Sequence, residues 1–540
     1  MNKSNSRAVL TPVVLVLAVV FGILIAPAVT RQRQAARHHF LPVNGSKLDY
    51  ILGMIKHSYV DSVNITELEE EVAIPALLQG LDPHTVYIPA KAMQRTQESI
   101  LGNFGGIGIQ FYKYRDTVVV IKVVPGGPSE AAGIRDGDRI ARVDDTVVAG
   151  KKMDTDKIMS MMRGEIGTKV NLTVHRGGEV PFVKQITRGS IPLKSVDVAF
   201  MPNDTTGYVK VSTFDMNTLT EFTQALSKLT SRGARKVIVD LRGNEGGVLP
   251  ITLQMINEFL DANRLMLYTE GQASPRKEYH STGRGHFQDI RLTVLIDEFS
   301  ASASEIFAGA IQDNDRGLVI GRRSFGKGLV QEQRLLPDGS ALRLTVARYY
   351  IPSGRSIQKS YEEGKEKYYS DLYTRALHGE FSEKDSIVFD EKLKFHTLDG
   401  RPVYGGGGIM PDIFVPVDTS GNTRYLNAIL RSNFLYEFTI DFMDHHRARL
   451  SGMKEVDEIL AYLNRYNLVN DLANYAAERG LKRDEADIRA SRAWLDNRVK
   501  AYIARHVIDD DGFYPILLQM DETFQKALEN MTIENMAVQQ

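Results

Sequence analysis

The chain has 540 residues, a formal net charge of -1 and no cysteine. Its 43% hydrophobic and 25% charged content is that of a globular protein, and its length suggests about three or four domains. The missing cysteine excludes disulfides, thiolate metal sites and a cysteine nucleophile, and the charge balance gives no sign of a nucleic-acid partner.

Residues 8–29, AVLTPVVLVLAVVFGILIAPAV, carry no charge over 22 positions. A helix of that length would rise about 33 Å, enough to cross a hydrocarbon core of about 30 Å. The apolar stretch of a secretory signal is usually shorter, about 7–15 residues. The length therefore favours an uncleaved signal anchor over residues 1–30, while Ala26-Pro27-Ala28 keeps a cleaved signal peptide open. Arg31, Arg33 and Arg37 follow the span and weaken the orientation signal. The expected location is the cell envelope, with the chain anchored in the inner membrane and its bulk in the periplasm, or exported.

Residues 46–96 carry apolar positions at helical spacing, until LDPHTVYIP breaks the pattern with two prolines. From about Gly102 β-branched runs alternate with Gly-Asp turns, which predicts a small β-rich domain with one clear helix over 98–188. Residues 190–420 alternate strand and helix: GYVKVSTF, LTEFTQALSKLTSRG, KVIVDLRG, LPITLQMINEFL, LTVLID and GLVIGR. Buried runs of Val, Ile and Leu in that order predict a largely parallel α/β core. Residues 421–540 read as charged helices without a motif. The expected fold class is α/β (mixed α+β) and multidomain, helical at both ends.

One stretch of the core carries chemistry. FSASASEIFAGAIQD, Phe299 to Asp313, leaves a buried strand and opens a helix. Ser302 and Glu305 fit the S-x-x-E capping box. The same place suits a nucleophile, because a helix start offers free N–H groups and a positive dipole. A serine needs a base. None of His280, His286, His445 and His446 stands out as one. Lys327, 25 positions beyond Ser302 and flanked by Gly326 and Gly328, does. To act as a base it must lose its proton near neutral pH, and burial beside Phe325, Leu329 and Val330 lowers a lysine's pKa in that direction. GRRSFGKG also matches the first seven positions of a phosphate-binding loop. It then has Gly328 where Ser or Thr must ligate magnesium, and a strand-like LVQEQRLL where a helix must start.

SASASE, GKGLVQ, DLRGNEGG and FGGIGI together resemble the carboxyl-terminal processing, or tail-specific, proteases over about residues 45–420. The resemblance implies a serine endopeptidase with Ser302 as nucleophile, Lys327 as general base and Gln331 holding the lysine. It implies an oxyanion hole from the N–H of Ala303 and one N–H of the Gly246-Gly247 turn. It also implies a PDZ domain over 98–188, with Phe104-Gly105-Gly106-Ile107-Gly108 as the loop that holds a peptide's carboxylate before strand addition. Implied partners are protein substrates met at their C-termini and the membrane, with self-association through the helical ends left open. No metal and no cofactor is implied. The chain departs from the family pattern at Glu245, where proline is frequent, and at Lys210, where arginine is common. Gly405 to Gly408 reads as a flexible loop. The reading from a different class is a non-catalytic PDZ scaffold at the membrane, against which Ser302, Lys327 and Gln331 argue.

Overall fold

The computed structural model describes residues 46–532. The expected anchor at residues 8–29 lies outside them, and among the described residues no helix is long and apolar enough to cross a membrane. The chain divides into two units after Leu81.

In the first unit, the helix Lys47–Ser58 opens on a capping box between Ser46 and Asp49 and buries none of its residues. A second helical stretch runs from Ile65 to Gln79, with a π-helical turn over Glu69–Ala73.

The second unit is built on a six-stranded sheet. Its order is Val196–Asn203, Thr206–Val211, Lys236–Asp240, Arg291–Ile296, Gly317–Gly321 and Ile413–Phe414. The first pair is antiparallel and every later pair is parallel. Successive residues of a strand face opposite ways, and here both faces are covered. Val237, Val239, Val294 and Ile296 pack against helices Thr218–Ser231, Leu249–Asn257 and Ala303–Asp313. Tyr208, Ile238, Leu295 and Ile320 pack against Leu518, Phe524, Ala527 and Met531 of the C-terminal region. Residues 424–517 add a helical bundle with an apolar core of its own.

A second sheet flanks the first. The long strand Ala341–Tyr350 pairs with Val86–Ile88, Leu329–Leu335 and Leu265–Gly271. Val86–Ile88 is thus a strand of the core unit, inside a stretch read as mainly helical. The partner of Leu265–Gly271, Ser274–His280, is mostly exposed and shows no alternation, so its sequence gave no strand signal.

The β-rich domain follows at 103–192. Its main sheet runs Ile109–Tyr114, Thr117–Val123, Arg139–Val143, Lys169–His175 and Phe182–Thr187, with helix Thr155–Met162 closing its core. The outer face of its first two strands and the start of the third rest on helix Phe434–Leu450. Tyr114 donates to Asp441 at 2.7 Å, Arg139 pairs with Asp444 at 2.5 Å, and the Tyr112 and Tyr436 rings meet edge to face at 4.8 Å.

Charge is buried at the end of the central strand. Asp240 accepts from Tyr208 at 2.8 Å and Arg242 at 2.6 Å, with Lys210 at 3.5 Å. Lys210 thus supplies a cation to the same cluster. Arg242 also pairs with Asp521 at 2.8 Å, which ties the strand to the C-terminal region. Burial works to raise the Asp240 pKa, but Arg242 and Lys210 outweigh it and hold the carboxyl well below its usual range. Asp240→Asn should therefore cost about 3–5 kcal/mol at neutral pH, read by chemical denaturation. Because the folded pKa is depressed, the carboxylate's contribution is complete above the unfolded value of about 3.9 and fades as pH falls below it. The gap between variant and parent should close in acid, and a gap that widens there would contradict the assignment.

Candidate active site

The strand Arg291–Ile296 ends at the carboxyl edge of the parallel sheet, where open α/β sheets place their sites. The three serines beyond it have different fates. Ser300 is buried and donates to the Leu241 carbonyl at 2.9 Å. Ser304 is buried and donates to the Asn244 carbonyl at 2.8 Å. These two fasten the turn to the end of the neighbouring strand. Ser302 lies between them and is partly exposed. Its backbone sits at φ 54°, ψ -111°, a conformation that costs a residue with a side chain about 1–3 kcal/mol.

Glu305 begins to explain how that conformation persists. Its carboxylate is fully buried and receives four donors: Ser302 N–H at 2.9 Å, Lys327 N–H at 2.8 Å, Gly326 N–H at 2.7 Å and the Ser324 hydroxyl at 2.5 Å. The contact to Ser302 is the carboxylate half of the expected capping box. The contacts to Gly326 and Lys327 carry the same group across to the lysine loop. Burial pushes the Glu305 pKa up, and the four donors oppose that rise. Ser324 accepts in turn from the Ile409 N–H at 2.6 Å. The run Gly405–Gly408 therefore packs beneath the site, and a Cβ on Gly408 would stand 2.7 Å from the Ser324 carbonyl oxygen.

Lys327 leads directly into the strand Leu329–Leu335, so no helix follows the glycine-lysine turn and the phosphate-loop reading falls. Its ammonium pKa is lowered, first by burial and then by the Arg343 guanidinium, while Glu305, Asp82 and Glu245 pull the other way. Gln331 sits nearby on that strand, but its Nε2 donates to the carbonyl of His84, not to Lys327. That carbonyl is presented by a tight turn in which Asp82 accepts from His84 N–H at 2.9 Å, Thr85 N–H at 3.0 Å and the Thr345 hydroxyl at 2.9 Å. With Nε2 engaged, Oε1 is the amide atom with no donor among the described residues. The His84 imidazole lies 2.7 Å from the Tyr368 hydroxyl, and burial, then Lys327, lower its pKa to about 4. The Asp82–Thr85 turn was visible in the sequence only as a break between helices. The four histidines weighed from the sequence are engaged elsewhere: His280 beside Glu278, His286 beside Glu258, His445 on the Asp441 carbonyl and His446 on Tyr462.

The glycine turn closes the site from the opposite side. Asn244, fully buried, accepts the Gly246 N–H on its side-chain oxygen at 2.8 Å and donates to the Val211 carbonyl at 3.0 Å. The Ala301 N–H donates to its main-chain carbonyl at 3.0 Å. Asn244 thus joins two strand ends and the serine turn. Its bond to Gly246 leaves the Gly247 N–H, together with the Ala303 N–H, without a partner among the described residues. Gly246, at φ 106°, packs on the serine itself: a Cβ there would stand 2.9 Å from Ser302 Cβ and from Ala303 N. Glu245 projects from the exposed side of the same turn.

In the β-rich domain, Phe104, Gly105 and Gly106 lie in the strand Asn103–Gly106, paired with Gly189–Pro192. The Arg163 guanidinium covers the Phe104 ring at 4.1 Å. Ile107 and Gly108 turn away from it, and their carbonyls accept from Ser129 and Val124 at 2.9 and 3.0 Å. Their N–H groups have no partner among the described residues. Ile109–Tyr114, which follows, is an edge strand paired on one side only.

Residues 205–364 match the model of peptidase family S41, and residues 105–184 match that of the PDZ domain. The chain carries a family S41 peptidase domain and a PDZ domain. Residues 425–509 of the C-terminal bundle match a family of unknown function (DUF8443). The chain is 32% identical over 313 residues to a "Probable CtpA-like serine protease" of Staphylococcus haemolyticus, covering 58% of this chain and 62% of that one. A protein of the same description from Staphylococcus aureus is 32% identical over 316 residues, with 58% and 62% covered. The chain thus spans 62% of the length of these relatives. Among solved structures, a photosystem II D1 C-terminal processing protease is 26% identical, covers 69% of this chain and 87% of its own, and superposes with a TM-score of 0.36. The S41 domain spans the serine turn, the lysine loop and the glycine turn; the Asp82–Thr85 turn precedes it.

Gly246→Ala should disable the S41 site, because the new methyl meets backbone atoms and Ser302 within 3 Å at a φ that already disfavours a side chain. The expected result is a loss of at least about tenfold in the rate at which a serine-reactive phosphonate labels the protein. Labelling at the parent rate would show that Gly246 and Ser302 are not held together in solution.

Proposed function

We propose that this chain is a serine endopeptidase of the C-terminal processing type. Its PDZ domain recognises the C-terminus of a protein substrate, and the S41 core cleaves it through an acyl-enzyme. Ser302 is the nucleophile and Lys327 the general base. The observation that carries the reading is the Glu305 carboxylate, which holds the main chains of Ser302 and Lys327 together while Ser302 alone of the three serines reaches the surface.

In the acylation step the Ser302 Oγ attacks the substrate carbonyl carbon and its proton passes to neutral Lys327 Nζ. The carbonyl oxygen becomes an oxyanion facing the N–H groups of Ala303 and Gly247. Collapse breaks the C–N bond, and the proton on Nζ leaves with the amine. Water, deprotonated by the same lysine, then hydrolyses the ester. Gln331, its amide fixed through Nε2, offers Oε1 to the ammonium. The free N–H groups of Ile107 and Gly108 suit a terminal carboxylate, and the open edge of Ile109–Tyr114 suits an added peptide strand. An envelope location, anchored through residues 8–29 or exported, belongs to the same proposal, as does self-association.

Ser302→Ala and Lys327→Ala should each abolish turnover of an unstructured polypeptide, and Ser302→Ala should also abolish phosphonate labelling. Labelled but inactive parent protein would favour a scaffold whose serine is merely accessible. The base must be neutral to act, so activity should rise with pH through the lysine's pKa. Removing the cation in Arg343→Gln should raise that pKa and move the acid limb of kcat/KM to higher pH. Removing the anion in Glu245→Gln should move it to lower pH. Shifts of the same sign in both variants would rule out Lys327 as the group titrating.

A further inference from the structure

The strand Ala341–Tyr350 passes beneath the site and places Tyr349 there, 1% exposed. Its hydroxyl lies 3.2 Å from the Ser302 carbonyl oxygen and also reaches the Lys327 carbonyl. Its main-chain N–H donates to the Gly328 carbonyl at 3.0 Å. Burial raises the phenol's pKa far above its ordinary value, so the hydroxyl keeps its proton to donate. The sequence does not single it out, because Tyr349-Tyr350 reads as the end of a strand.

The contacts are complementary to those of Glu305. The carboxylate takes the N–H groups of Ser302 and Lys327. The phenol reaches the carbonyls of the same two residues, and its single proton is shared between them. Each of the two residues is therefore held at both its amide and its carbonyl. A serine at φ 54° needs such over-determination, since a backbone in a sparsely populated region relaxes unless its surroundings fix it. The Ser302 carbonyl also accepts from the Ile306 N–H at 2.9 Å, the first turn of the helix, so the phenol acts at the junction of strained residue and helix.

We propose that Tyr349 is a positioning residue of the Ser302–Lys327 dyad, holding both main chains through one shared hydroxyl so that Oγ and Nζ meet the bound peptide in register. The proposal rests on the dyad reading above. A tyrosine that only fills the core would act differently: its hydroxyl would contribute to stability and nothing to turnover. Positioning is felt in the rate, since a displacement of about 1 Å at a reacting group costs about 100-fold.

The test uses the full chain with Tyr349→Phe, Ser302→Ala and Lys327→Ala, each assayed for kcat, KM, phosphonate labelling and thermal midpoint. Tyr349→Phe should lower kcat and the labelling rate by about 10- to 100-fold, with KM within about twofold and the fold retained. If Ser302→Ala and Lys327→Ala are inactive but Tyr349→Phe keeps the parent kcat, the dyad stands and the role of Tyr349 is refuted. If Ser302→Ala or Lys327→Ala retains turnover, the dyad falls and this role falls with it. Should Tyr349→Phe not fold, a ring-fluorinated tyrosine at 349 keeps the shape and alters the donor. A changed kcat at unchanged KM then supports the proposal, and an unchanged kcat overturns it.

Discussion

The site depends on one buried carboxylate. Glu305 lies in a helix whose every residue is buried, where an isolated charge would be very costly. It is tolerated because four donors from two separate segments converge on it. The dependence runs both ways. Those donors would themselves be buried and unpaired without the carboxylate, so the serine turn and the lysine loop can reach low energy only together. A third segment joins through Ser324 and Ile409. Local choices that each look unfavourable, a buried acid and a strained serine, become mutually required.

The electrostatic surroundings of Lys327 follow the same economy. Burial alone moves an ammonium toward neutrality, but the neighbouring carboxylates Glu305, Asp82 and Glu245 resist it. Arg343 restores the balance from the adjacent strand. Asp82 and Glu305 are committed to orienting main-chain atoms, and their effect on the lysine is a by-product of that work. Glu245 has no such structural duty in the glycine turn, so the charge it adds is a feature of this chain and not of the scaffold.

What could be read in the sequence follows from distance along the chain. The serine turn, the glycine-lysine turn and the alternation of strands were legible because each is a short pattern whose meaning is local. In the sequence Ser302 could be preferred to Ser300 and Ser304 only through Lys327; in the structure the Ser300 and Ser304 hydroxyls bond the Leu241 and Asn244 carbonyls. Gln331 was placed near the lysine, yet its observed partner lies 247 positions away, at His84. Tyr349 carries no pattern of its own, Asn244 was legible only as part of the glycine turn and Asp82–Thr85 only as a break, and their importance arises when distant strands meet. The strand Ser274–His280 was missed for another reason: a strand with polar residues on both sides lacks the period that marks strands.

The C-terminal region has a consequence for how the site comes into being. Leu518, Phe524, Ala527 and Met531 form one wall of the six-stranded sheet, Lys236 donates to the Met531 carbonyl at 2.7 Å, and Arg242 draws one of its counter-charges from Asp521. During synthesis the serine turn, the lysine loop and the glycine turn all leave the ribosome more than a hundred residues before that wall exists. A nascent chain would hold every reactive group on a sheet with one bare apolar face. The order of translation thus acts as a delay, and the three turns can rest on a sheet covered on both faces only once residues 518–531 have been made.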